Sequence, residues 1–174
     1  MPIGVDIASE YRYRDPVVGP GDLVVGITQS GETADTLAAM RIARECGATV
    51  LAVTNVRGSQ ATRDADGVLF TRAGMEVSVA ATKTFVCQVA AMYLLGLRLA
   101  ELRGTLDPDE LRELVQALKR LPHDIDVVLE SLDVEEIAQE HFQKDFFLYI
   151  GRHVGLSVAL EGALKLKEIS YISC

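Results

Sequence analysis

Short unbroken apolar runs alternate along this chain with longer stretches in which apolar and polar residues recur at helical spacing. Leu23–Ile27, Val50–Val53, Val68–Phe70 and Phe146–Ile150 are continuous runs of this kind, the pattern of strands buried on both faces. Val5–Ala8 is a shorter apolar stretch that reads as an edge strand running into a helical turn over Ser9–Arg14. Pro16, Pro20 and the Gly19-Pro20-Gly21 cluster then break the chain. Thr33–Cys46 is rich in good helix formers, and Gly47 stands where a C-terminal cap belongs. Asn55–Ser59 is a loop leading into a short helix that carries Arg63 and Asp64. The order β-α-β-α-β with short connections predicts a parallel sheet with right-handed crossovers.

Further along, Arg72–Lys83 is a long non-periodic loop. A helix apolar almost all round follows from Thr84 to Arg103, ended by Gly104, and such a helix is expected in a core or an interface. Asp107-Pro108-Asp109-Glu110 is a helix start, with Pro just inside and acids in the first turn. Two or three amphipathic helices are expected from there to Phe142, broken at Pro122 and near Asp133, forming a linker or a dimerisation bundle. Residues 151–155 read as a turn and Leu156–Ile169 as a helix. Asp22-LVVGIT and Asp145-FFLYIG share one layout of acid, buried strand, Gly-containing loop and helix, a faint internal repeat.

The chain has 174 residues, 49% hydrophobic and 24% charged, without Trp, which suits one domain with an aliphatic core and an appended helical piece. A net charge of −8 argues against nucleic acid or an anionic membrane as partner. It leaves room for a phosphate ligand, since backbone groups can hold an anion inside an acidic protein. Cys46, Cys87 and Cys174 form no metal-ligand pattern and read as free thiols in a reducing compartment. No signal peptide opens the chain, and Thr84–Ala100, interrupted by Gln88 and Arg98, falls short of the ~20 apolar residues of a membrane span. A cytoplasmic protein with no metal and no cofactor is the expectation. His123, His141 and His153 read as surface residues, and Met75 and Met92 as packing residues.

Thr28-Gln29-Ser30-Gly31-Glu32-Thr33 lies between a buried strand and a helix. Ligands of open α/β sheets bind beyond the carboxyl ends of strands, where a helix N-terminus offers free N–H groups and a positive dipole end. Three hydroxyls and a Gly add neutral donors and close backbone approach, and the absence of Lys excludes a Walker A loop. On these residues alone an anion site and a plain hydroxyl cap, with Ser30 or Thr33 as the cap, are both open readings.

TQSGETADTL resembles the SQSGETADT phosphate loop of sugar isomerase (SIS) domains, specifically those of the glutamine–fructose-6-phosphate aminotransferase family. Asp6-IASEYRYR, Ala73-GMEVSVAATKTF and Ala159-LEGALKLKEISYI match three more motifs of that family, in order; the similarity is weakest over 107–143. The resemblance implies that Thr28, Gln29, Ser30 and Thr33 contact the phosphate of fructose 6-phosphate or glucosamine 6-phosphate, and that Val79 meets the sugar through its backbone. The family has Ser where Thr28 and Ala81 stand; the hydroxyl survives at the first position and is lost at the second. By the same resemblance Glu168 is the general base between sugar C1 and C2, and Lys165 assists imine chemistry. Spacing alone favours a different reading, in which Glu161, Lys165 and Glu168 form a solvated ion-pair row.

The implied fold is a three-layer αβα SIS fold around a parallel five-stranded flavodoxin-like sheet, with a helical linker. Residues 1–104 would be a first SIS half lacking its first strand and helix, 105–144 the linker, and 145–174 the first strand and helix of a second half. Phe146–Ile169 could then fill the vacant central position, within the chain or by strand swapping, since open strand edges invite aggregation. The family's ring-opening histidine and Schiff-base lysine are expected beyond Cys174, so the isolated chain is expected not to complete the reaction. A homodimer is expected from the apolar helix after Thr84. A phosphosugar sensor without catalysis and an oligomerisation fragment without ligand are the alternatives; the acidic balance counts against the first.

Overall fold

The computed structural model of the chain describes residues 2–78 and 80–174. Val79, expected to meet the sugar, lies outside the described residues. The chain divides into two compact units, one running to Glu76 with Thr82–Leu99, the other comprising Val77–Ala81 with Ala100–Cys174.

The first unit holds the sheet. β1 (Leu23–Ile27), β2 (Thr49–Thr54) and β3 (Gly67–Phe70) are parallel, in the order β1-β2-β3. Leu23 registers with Thr49 and Ile27 with Val53; Leu51 registers with Gly67 and Thr54 with Phe70. α1 (Ala8–Tyr11) precedes the sheet, α2 (Ala34–Glu45) crosses from β1 to β2, and α3 (Gln60–Asp64) from β2 to β3. This is the α/β order that the apolar runs predict, and each strand lies within a residue or so of its run.

The core is aliphatic: Leu37, Met40 and Ala43 of α2 pack with Ala48, Val50 and Ala52 on the β2 side and Ala61 of α3. Burying a side chain such as Met40 or Val50 contributes about 1.5–3 kcal/mol. α2 lies so close to β1 that a Cβ on Gly26 would stand 2.6 Å from the Met40 sulfur. α2 ends in a Schellman motif, with Gly47 at φ 90°, its N–H bonded to the Arg44 carbonyl and the Ala48 N–H to the Ala43 carbonyl. The chain is thereby turned straight into β2.

Several expectations are corrected. Among the described residues the sheet has three strands, not five. Val5–Ala8 forms no strand, because the Asp6 carboxylate accepts from the Ile7 N–H at 2.8 Å and pairs with Arg14 at 2.9 Å, curling the segment around α1. Phe146–Ile150 forms no strand either: Phe146 makes an isolated parallel bridge to Ser173, and Leu148 and Ile150 are 76% and 84% exposed. An apolar run needs a neighbouring backbone to become a strand, and the C-terminal segment does not complete the sheet within the chain.

α4 (Lys83–Arg103) buries only Thr84, Ala91 and Leu97, so in the single chain it is not the core helix its composition suggests. At 21 residues, with a mean hydropathy of 1.5 over its most apolar window, it is long and apolar enough to cross a membrane by length and composition, contrary to the sequence expectation. α5 (Pro108–Ser131) opens on a capping box of Asp107 and Glu110 and continues through Pro122 without a break. A proline there removes one backbone bond from a 24-residue helix, and the remaining ladder holds. α6 (Val134–His141) follows, capped by Asp133, and α7 (Val154–Ser170) closes the second unit.

Candidate functional site

The loop 28–33 stands at the carboxyl end of β1 and leads directly into α2. Thr28 is buried, with its N–H bonded to the Val53 carbonyl. Its hydroxyl accepts from the Gly31 N–H at 3.2 Å and lies 3.0 Å from the Thr33 hydroxyl. Ser30 Oγ accepts from the Glu32 N–H at 3.1 Å. Thr33 occupies the N-cap position of α2 yet makes no side-chain cap bond. The plain-cap reading for Thr33 therefore fails, and the positive end of α2 is left without a side-chain acceptor from its own cap. Gln29 and Ser30 are half-buried and Thr33 exposed, so the loop leaves polar side chains accessible, while the N–H groups of Thr28, Gly31 and Glu32 are bonded within the chain.

Both acids nearest the loop are engaged elsewhere. Glu32 accepts from the Gln60 N–H at 2.8 Å, tying the loop to α3. Asp35 pairs with Arg12 of α1 at 3.0 Å. Their repulsion of an incoming anion is lessened without a cation inside the loop.

The backbone of the loop is fixed by the strand next to it. The Gln29 carbonyl accepts from the Asn55 N–H at 3.1 Å and from the Thr54 hydroxyl at 3.3 Å, and the Gly31 carbonyl accepts from the Ala61 N–H at 2.9 Å. Asn55 also reaches the segment after β3: its Oδ1 accepts from the Ala73 N–H at 2.9 Å and the Thr71 hydroxyl at 3.1 Å, and its Nδ2 donates to the Gly74 carbonyl at 2.6 Å. The same segment ends on Glu76, whose carboxylate accepts from the N–H and hydroxyl of Thr82 and from the N–H and hydroxyl of fully buried Thr84. The hydrogen bonds from Thr84 hold the Glu76 carboxyl below the usual carboxylate range. Sequence reasoning missed Asn55, Thr54 and Glu76, because their partners lie many residues away and no local spacing signals them.

In the second unit α7 carries the other expected residues. Lys165 Nζ donates to Glu168 Oε2 at 2.6 Å and lies 3.4 Å from Glu161 Oε1. Partial burial pulls the ammonium pKa down, but the bond to Glu168 and the charge of Glu161 outweigh it and hold Lys165 above its ordinary value. Lys165 is thus a firmly protonated cation between two carboxylates, the ion-pair row that spacing predicts. The loop 28–33 and this triad belong to different units. Among the described residues no group of three or more His, Cys, Asp or Glu side chains is placed to hold a metal ion. Met75, expected in packing, is 80% exposed.

Comparison with known proteins bears on what this loop belongs to. A family model described as the SIS domain matches residues 1–98. The chain is 53% identical over 173 residues to a glutamine–fructose-6-phosphate aminotransferase [isomerizing] of Mycobacterium bovis, covering 99% of this chain and 28% of that protein. It is 51% identical over 175 residues to the protein of that name from Leifsonia xyli, again 28% of its length. A solved structure, the C-terminal domain of glucosamine-fructose-6-phosphate aminotransferase from Francisella tularensis, superposes with a TM-score of 0.93 at 39% identity, over 99% of this chain and 49% of that one. The chain thus spans little more than a quarter of the curated relatives it matches. With more than half of its residues matched by one family model, and with an open hydroxyl loop ahead of an uncapped helix on a parallel αβα scaffold, this chain belongs to the SIS domain family.

Proposed function

We propose that this chain is the sugar-phosphate-binding part of a glutamine–fructose-6-phosphate aminotransferase, which makes glucosamine 6-phosphate from fructose 6-phosphate and glutamine-derived ammonia. The observation that carries the reading is the loop 28–33: neutral donors at the mouth of a parallel sheet, ahead of a helix whose N-cap side chain is not spent on capping. In this reading Thr28, Gln29, Ser30 and Thr33 surround the phosphate, and the first turn of α2 supplies amides and dipole. Val79 is the residue expected to meet the sugar through its backbone. Glu168 moves the proton between C1 and C2, and Lys165, paired with it at 2.6 Å, assists the imine chemistry.

The finer organisation follows the same reading. Residues 1–104 form the first SIS half, 105–144 a helical linker and 145–174 the opening of the second half. Among the described residues β1 has only β2 beside it in the sheet, and a further strand, from Phe146–Ile150 of a second copy, would extend the sheet toward five. A cytoplasmic homodimer without bound nucleic acid or membrane fits the net charge and the exposed apolar faces.

Calorimetric titration of glucosamine 6-phosphate into the 174-residue chain tests the reading. Saturable binding is expected, with Ser30→Ala weakening it at least about tenfold, as loss of a hydrogen bond to a charged group does. A wild-type chain that takes up no phosphosugar defeats the proposal. The chain as sole catalyst is expected to form no glucosamine 6-phosphate from fructose 6-phosphate and ammonia, which a coupled assay reads directly.

A further inference from the structure

Asn55 is the first residue after β2, the central strand, and so stands between the loops that follow β1 and β3. All of its polar groups except its carbonyl are engaged by those two loops. The backbone N–H holds the Gln29 carbonyl; Oδ1 takes the Ala73 N–H and the Thr71 hydroxyl; Nδ2 holds the Gly74 carbonyl. Only a short carboxamide supplies an acceptor with two lone pairs and a donor at this reach: aspartate lacks the donor, and glutamine is one carbon too long. The segment so held is not relaxed by itself. Arg72 and Gly74 both have left-handed backbones, at φ 55° and 73°, a conformation that Arg adopts only when its surroundings impose it.

We propose that Asn55 is a positioning residue for phosphosugar recognition, a clamp that sets the distance between the phosphate loop 28–33 and the segment 71–76. The inference rests on the phosphosugar reading above and names a residue that neither the loop motif nor the α7 triad includes. A ligand that touches both segments binds well only if their spacing is fixed beforehand, because ordering them on binding would be subtracted from the affinity. An anion that touches the phosphate loop alone is nearly indifferent to that spacing.

The clamp separates two measurements on the 174-residue chain. Without ligand, Asn55→Ala is expected to speed amide hydrogen exchange in 28–33 and 71–76 by about tenfold or more, leaving α2 and β2 protected. With ligand, Asn55→Ala is expected to weaken glucosamine 6-phosphate about tenfold while inorganic phosphate loses far less; Ser30→Ala is expected to weaken both together. If Asn55→Ala does not fold, Asn55→Asp, which keeps the acceptor and loses only the donor to Gly74, carries the test through faster exchange at 74–76. Unchanged exchange in 71–76, or an equal loss for both ligands, overturns the clamp. A wild-type chain that binds neither ligand refutes the phosphosugar reading instead, and the exchange result then decides whether Asn55 sets the spacing of the two loops.

Discussion

Gly31 has room for a hydrogen and no more. Its φ is 72°, and a Cβ there would collide with the Ser59 side chain and stand 3.0 Å from Thr54 Oγ1. Gly31→Ala therefore combines left-handed strain with overpacking and is expected to cost about 2–4 kcal/mol, read as a lower urea midpoint; a shift too small to measure would mean that the loop yields freely. Glu76 makes a pH-dependent contribution. Its carboxyl is held below the ordinary 4.5, so the stability it lends is present above that value and is lost as pH falls through its folded pKa. Melting temperatures of wild type and Glu76→Gln are expected to differ near neutrality and to converge as pH falls below the ordinary 4.5 and through the lowered folded pKa. Parallel curves over that range would show that the charge of Glu76 is not what fixes the segment. The two residues also differ in how far the sequence announces them. A Gly between hydroxyls at a strand end already signals close backbone approach, whereas Glu76 meets Thr84 eight positions away across a non-periodic loop, where spacing carries no information.

At the scale of elements, local chemistry was legible and partnership was not. Gly47 as a C-terminal cap, and Asp107-Pro108-Asp109-Glu110 as a helix start, depend on residues within one turn, and both stand where their chemistry predicts. Pro122 reads as a break because a single residue's propensity is strongly unfavourable, but its effect is set against a 24-residue ladder with a strong cap, and the helix runs through. Replacing it restores a missing hydrogen bond and relieves a clash. Pro122→Ala is expected to stabilise the chain, by up to about 3 kcal/mol, while Asp107→Ala costs about 1 kcal/mol by opening the capping box. Helical circular dichroism followed through thermal melts checks both, and a Pro122→Ala chain that melts lower than wild type would show that the proline is required where it stands. Phe146–Ile150 marks the opposite limit. Its composition is that of a strand, yet strand formation is a property of two backbones, and the sequence of one segment cannot supply the second.

The whole molecule carries more uncovered apolar surface than one chain can justify. No residue of the 17-residue α7 is buried, and Val154, Leu156, Val158, Leu160 and Ile169 are all at least half exposed, alongside Leu148 and Ile150 before it. Val154 and Val158 lie on one side of the helix and Leu156 and Leu160 on the other, and a helix that exposes apolar residues all round belongs in a core or an interface. The sequence shows Leu156–Ile169 as a helix, but burial depends on what lies opposite, which no pattern within the helix encodes. The homodimer proposed above gives the surface an occupant of known chemistry, a second copy of the same face. Sedimentation velocity is then expected to show a coefficient that rises with concentration toward a dimer. Val154→Lys with Val158→Lys would place two charges on one face a turn apart and is expected to hold the chain monomeric with α4 and the sheet intact, as judged by unchanged circular dichroism. A wild-type chain that sediments as a monomer at every concentration would mean that α7 is not a self-association surface, and a double variant that still dimerises would place the interface on the exposed side chains of α4, such as Tyr93 and Leu94, instead.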